Sequence, residues 1–145
     1  MRTHEPGYTL TELTLVLLLL SLIAALAFPT LLHARHVIAV NAARRELAAS
    51  IAVARSTAIV AGGASVVIDL MTGEVRVETA TGATIGEPRL LRASHGVALT
   101  ADRASPVVLR FDALGIGRLT NATVHVLRGG VRASLTVSAY GRVRL

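Results

Sequence analysis

The chain has 145 residues, room for one domain plus an extended element. It contains no Cys, which excludes a disulfide framework and a thiolate metal site. Apolar residues make up 52% but aromatics only 3%, with no Trp, so any core is small and aliphatic. All 15 Lys-or-Arg positions are Arg, and the net charge of +6 permits an anionic partner without requiring one.

Residues 1–7 are too short for a conventional secretory signal, because no apolar stretch precedes a small-residue cleavage site. The apolar run follows at once. From Leu13 to Leu32 the polar residues are Thr14, Ser21 and Thr30. About 20 apolar residues in a helix span a bilayer core, so this run is long enough. Arg2 lies before it, and Arg35, Arg44 and Arg45 lie after it. Charge counting alone leaves its orientation ambiguous or even reversed. Glu12 stands at the mouth of the run. A carboxylate there is costly and usually functional. It also fits a capping box, with Thr9 as N-cap and Glu12 reaching back, and it favours the helix dipole.

Beyond Pro29 the positions Val40, Ala43, Leu47, Ile51, Ala54 and Ala58 recur at steps of three and four, one helix face. Arg45, Glu46 and Ser50 fall off that face. Gly62-Gly63 is a stop signal. The spacing predicts a helix from about Thr9 to Ala61, on the order of 80 Å long. Its first half needs lipid or sister helices, and its second half can pack on the chain's own domain. Pro29 removes one helix hydrogen bond and is expected to bend or melt the helix locally. His33 and His36 stand three apart without a carboxylate at helical spacing, so they read as filler rather than as a metal site.

From Ala64 the period changes to two. Residues 64–70, a turn at Met71-Thr72-Gly73, and residues 74–79 read as a hairpin. Residues 81–88, with Gly82, Gly86 and Pro88, read as a loop. Strands are expected at 97–100, 107–111, 123–127, 132–138 and 142–145, with a glycine-rich break at 113–117. The fold class is α+β: a long N-terminal helix, its first half transmembrane, packed on an antiparallel β-sheet C-terminal domain. The boundaries are 1–7 leader, 8–32 membrane and assembly half of the helix, 33–61 amphipathic half, and 62–145 β-rich domain.

No catalytic constellation is present: Ser, His and Asp are scattered without a nucleophile elbow, and Gly115-Ile116-Gly117 lacks the third glycine of a dinucleotide loop. The chain reads as a non-enzyme needing no cofactor or metal. Asp69, Glu74, Glu78, Asp102 and Asp112 read as solvated surface, and no Asp-rich loop supports Ca²⁺. After Asp112 no acidic residue follows, while Arg118, Arg128, Arg132, Arg142 and Arg144 do. That strip can contact phosphates, through the backbone rather than by base stacking, since Tyr140 is its one aromatic residue.

Gly7 followed by Tyr8-Thr9-Leu10-Thr11-Glu12-Leu13 resembles the signal of type IV pilins and type II secretion pseudopilins. The resemblance implies cleavage after Gly7 by a prepilin peptidase, N-methylation of Tyr8, and pairing of Glu12 with the terminal amine of a neighbouring subunit. It implies a loosened helix at Pro29. Two features depart from the usual pattern: Tyr8 stands where Phe is common, and Pro6 after Glu5 where a basic residue is common. Further on, Ala54-Arg55-Ser56-Thr57-Ala58-Ile59, the strand Val66-Val67-Ile68, Phe111 before a glycine-rich turn, and Gly141-Arg142-Val143-Arg144 resemble minor pseudopilins of the GspH/FimT type. The expected partners are other pilins or pseudopilins through the N-terminal helix, the peptidase, an inner-membrane assembly platform and membrane lipid. The expected location is the bacterial inner membrane, single-pass, with the C-terminal domain in the periplasm. The Gly-Arg-x-Arg ending is similar to that of DNA-binding FimT-type minor pilins, which implies DNA as an alternative partner, through Arg142 and Arg144.

Overall fold

A computed structural model describes residues 8–118 and 121–145. The chain divides into two compact units, Met1–Arg35 and His36–Leu145. The first carries the apolar part of helix α1 (Leu10–Ala61). Thr9 caps its start: Thr9 Oγ1 accepts the Glu12 N–H at 3.2 Å, and the Thr9 carbonyl accepts the Leu13 N–H at 3.1 Å. From Leu10 to Leu32 every residue is exposed. With a mean hydropathy of 2.7 over its best 18-residue window, the helix is long and apolar enough to cross a membrane. Two hydroxyls in this run close back on the helix. Thr14 Oγ1 donates to the Thr11 carbonyl and Ser21 Oγ to the Leu18 carbonyl, both at 2.8 Å, so neither needs a partner from lipid. The backbone stays helical across Pro29 rather than melting there. Pro29 has no N–H to give, so the Ala25 carbonyl loses its usual donor.

In the second unit α1 presents the face that the spacing predicts. Val40, Ala43, Leu47, Ile51, Ala54 and Ala58 are all buried. Gly62 ends the helix at a left-handed φ of 77°, a conformation that suits glycine. The strands are β1 (Gly63–Ile68), β2 (Glu74–Thr79), β3 (Thr84–Leu90), β4 (Ala98–Ala101), β5 (Val107–Asp112), β6 (Ala122–Arg128), β7 (Val131–Val137) and β8 (Val143–Arg144). A short helix α2 (Leu91–His95) stands between β3 and β4. Every pairing is antiparallel, in two four-stranded sheets of order β3-β2-β1-β5 and β4-β6-β7-β8. Val66, Ile68, Val75 and Leu109 from the first sheet share one apolar cluster with Val124, Val126, Leu135 and Val137 from the second and with the α1 face.

Three sequence expectations change. Residues 81–88 are not wholly a loop: β3 pairs with β2 from Thr84 to Leu90, across a register shift between Val75 and Val77. β3 is an edge strand, and an edge position lets Pro88 go without a ladder donor. α2 has no counterpart in the periodicity, being five residues long with one buried side chain, Leu91. Finally, Ser50 does not stay clear of the buried side of α1. Ser50 is buried, its Oγ donating to the Glu46 carbonyl at 3.1 Å, and Glu46 is half-buried.

Candidate functional site

At the N-terminus, Gly7 lies outside the described residues. Tyr8 is 87% exposed, so nothing in the chain's own fold covers the start of α1. The expected capping box is half formed. Thr9 makes its bond to the Glu12 N–H, but among the described residues no group pairs with the Glu12 carboxylate. The N-cap is therefore satisfied without the Glu12 side chain, which leaves that charge available at the head of the apolar run.

The C-terminal arginines do not form one surface. Arg118 Nε lies 3.6 Å from Asp112 Oδ2, so this cation has a carboxylate beside it. Arg128 is half-buried and its guanidinium donates to the His95 carbonyl. Arg132 on β7 and Arg144 on β8 share one exposed sheet face. Arg144 is paired with Thr136, two alternations from Arg132, which is roughly 13 Å along the strand. Arg142 is exposed and borders a groove of about 490 Å³ with Arg55 of α1 and Tyr140. Its backbone is fixed: the Arg142 N–H donates to Ser138 Oγ at 3.1 Å, and the Ser138 N–H to the Arg142 carbonyl at 2.9 Å. Arg55, which the sequence reading did not include in the strip, donates from Nε to the Gly115 carbonyl at 3.2 Å.

The carboxylates mostly organise backbone. Asp69 Oδ1 accepts the Met71 N–H at 2.7 Å and the Thr72 N–H at 3.2 Å; the Thr72 and Met71 amides hold its carboxyl below the ordinary range. Asp112 Oδ1 accepts the Leu114 and Ile116 N–H groups, both at 3.0 Å, and the Ile116 amide leads in lowering it. Glu74 and Glu78 flank Arg76 at 3.3 and 2.7 Å and raise its pKa, Glu78 foremost. Among the described residues no group of three or more His, Asp or Glu is placed to hold a metal. His33 is exposed, and the His36 ring lies against Gly129 of the β6–β7 turn.

One polar cluster has no local sequence signal. Glu46 Oε1 accepts from Arg89 Nη1 at 2.9 Å, and Glu46 Oε2 lies 2.7 Å from His95 Nε2. Burial raises the Glu46 carboxyl, but the His95 and Arg89 hydrogen bonds outweigh it and hold the carboxyl below its ordinary value. The cluster joins α1 to β3 and α2, at sequence separations of 43 and 49 residues.

A long N-terminal helix, apolar in its first half and packed in its second on antiparallel sheets, defines a pilin-like subunit. The family model described as type II transport protein GspH matches residues 43–141, and the chain belongs to that family. Members are structural subunits, not enzymes, and associate with other pilins in a pilus. In fold the chain is similar to the type IV minor pilin FimU of Pseudomonas aeruginosa, seen in two crystal forms. One has a TM-score of 0.59 and 21% identity over 73% of this chain and 87% of that one. The other has a TM-score of 0.56 and 21% identity over 72% and 90%. No curated protein matches the chain.

Proposed function

We propose that this GspH-family chain is a minor pseudopilin of a type II protein-secretion machine. In this reading a prepilin peptidase removes residues 1–7, Tyr8 is then N-methylated, and residues 8–32 anchor the chain in the inner membrane with the β-rich domain in the periplasm. An assembly platform in that membrane extracts it into a periplasmic pseudopilus, and Pro29 is where the helix loosens during packing. The observation that carries the reading is the exposed Glu12 carboxylate, unpaired among the described residues, four positions after Tyr8 and at the head of an apolar run. An ion there is tolerated in a low-dielectric bundle when an opposite charge meets it. The newly freed amine of a neighbouring Tyr8 supplies that charge. Cleavage is tested by the mass of the membrane-extracted protein. The wild type loses residues 1–7 and gains a methyl group; Gly7→Ala keeps the full leader. A Gly7→Ala chain cut normally at the same bond sinks the proposal.

A second reading, a minor pilin that binds DNA for natural transformation, has one observation in its favour. Arg142 and Arg144 are both exposed at the C-terminal edge, with Arg55 and the 78%-exposed Tyr140 bordering the same groove as Arg142. Contacts of this kind go to phosphates and weaken steeply with salt. The Arg142→Ala, Arg144→Ala double variant abolishes low-salt DNA binding if this reading holds; undiminished binding removes these two residues from it.

A further inference from the structure

Residues 84–95, β3 followed directly by α2, cover the outer edge of β2 and are attached at few points. β3 is the edge strand of its sheet, and six of its seven residues are exposed. Its register with β2 slips between Val75 and Val77. A disrupted ladder of this kind opens at a lower free energy than a regular one. β1, by contrast, pairs without a break on both sides, with β2 and with β5. α2 adds little stability of its own, being five residues long with no side-chain cap at its start.

What seats the segment is one apolar side chain and one carboxylate. Leu91 is the segment's buried residue, and its N–H donates to the Gly73 carbonyl at 2.9 Å. Glu46 of α1 takes hold on either side of Leu91. Arg89, two residues before it, donates to Glu46 Oε1 at 2.9 Å, and His95, four residues after it, lies 2.7 Å from Glu46 Oε2. At the far end the Arg128 guanidinium donates to the His95 carbonyl, and Gly96 follows with a left-handed φ of 63°. That glycine is where the chain can swing, since its backbone is free of the Cβ restriction.

We infer that β3 and α2 form a releasable guard over the β2 edge, with Glu46 as its latch. Loss of the Glu46 contacts frees Arg89 and His95 together. Leu91 then leaves the core with its bond to Gly73, while β1, β2, β5 and the second sheet stay folded. Opening makes β2 the outer strand of the first sheet, with its N–H and C=O groups unpaired on that side. Closing covers them with a strand from the same chain.

The test uses the full chain in detergent micelles, with amide hydrogen exchange followed by NMR. Leu91 is the reporter: its N–H is bonded and its side chain buried, so a rigid domain would protect it as well as Val66 in the middle of β1. Leu91 is expected to be less protected than Val66 by more than an order of magnitude. Its exchange should hardly respond to low urea, because a local opening exposes little surface, whereas Val66 exchange should rise with urea. Glu46→Gln should speed Leu91 exchange several-fold, and Arg89→Gln, which leaves the His95 contact in place, by less. Equal protection and equal urea dependence of Leu91 and Val66 would mean that the segment opens only with the whole domain, which overturns the guard. Unchanged Leu91 exchange in both variants overturns Glu46 as the latch. Should Glu46→Gln fail to fold, the Arg89→Gln comparison decides.

Discussion

Glu46 is the residue whose role depends most on folding. The helical spacing correctly places it off the apolar face, but nothing near it in the sequence identifies Arg89 or His95 as partners. Their approach is set by β3 and α2, the two elements that the periodicity does not disclose. The Glu46 carboxyl sits below its ordinary value, so the unfolded chain binds that proton more tightly than the native one. Its stabilising contribution is full above the ordinary carboxylate range and is lost as pH falls through the lower native value. Arg89 is nearly half exposed, so the Arg89 contact is discounted for solvent screening. Glu46→Gln is then expected to destabilise the domain by about 1 kcal/mol near neutral pH. Thermal melts should converge with the wild type on acidification between about pH 5 and pH 3. Parallel melting curves across that range would show that the charge contributes nothing.

At the scale of elements, legibility follows burial pattern. The inward positions of α1 from Val40 to Ala58 could be read because the helix repeats a face over five turns, and periodicity accumulates with length. β3 could not be read: six of its seven residues are exposed, and Ile85 is the sole half-buried position. Gly86 and Pro88 signal a break in any local reading, and an edge tolerates both. The α1 face is rich in alanine, with Ala43, Ala54 and Ala58 all fully buried. Ala54→Leu has no space to enter and is expected to cost about 1–3 kcal/mol, a fall of at least about 4 °C in Tm for a domain of this size. Ser56→Leu, two residues on and exposed, should change stability by less than about 0.5 kcal/mol. Calorimetry of the two variants separates a packed face from general tolerance. Equal Tm values would mean that the α1 contact is loose.

For the whole molecule, the two units answer to different solvents. His36–Leu145 buries its apolar residues in its own core, whereas the run before it buries none and is complete only in lipid or against other helices. This division is legible in the sequence because the hydrophobic pattern changes from continuous to one-sided at the boundary. Which machine the subunit serves is not legible, since the Gly7–Pro29 stretch and the alternating strands are requirements of membrane passage and core packing. Glu12 tests the coupling between the two settings. Its carboxylate lies in the Met1–Arg35 unit, so Glu12→Ala should leave the melting of the β-rich domain unchanged. If the leader is processed as proposed, its removal should also proceed, because the bond after Gly7 lies ahead of α1 in the sequence. Assembly should suffer: an ion pair in a helical bundle that loses one partner strands the other, at a cost of about 3–5 kcal/mol. Even the smallest loss in that range exceeds ten-fold in an association constant, since each 1.4 kcal/mol is about ten-fold. Cross-linking of the processed chain to neighbouring pilins, compared between wild type and Glu12→Ala at equal membrane levels, reads this directly. Equal cross-linking would mean that the carboxylate meets no amine in the assembled state, and that its place at the head of α1 serves the helix dipole alone.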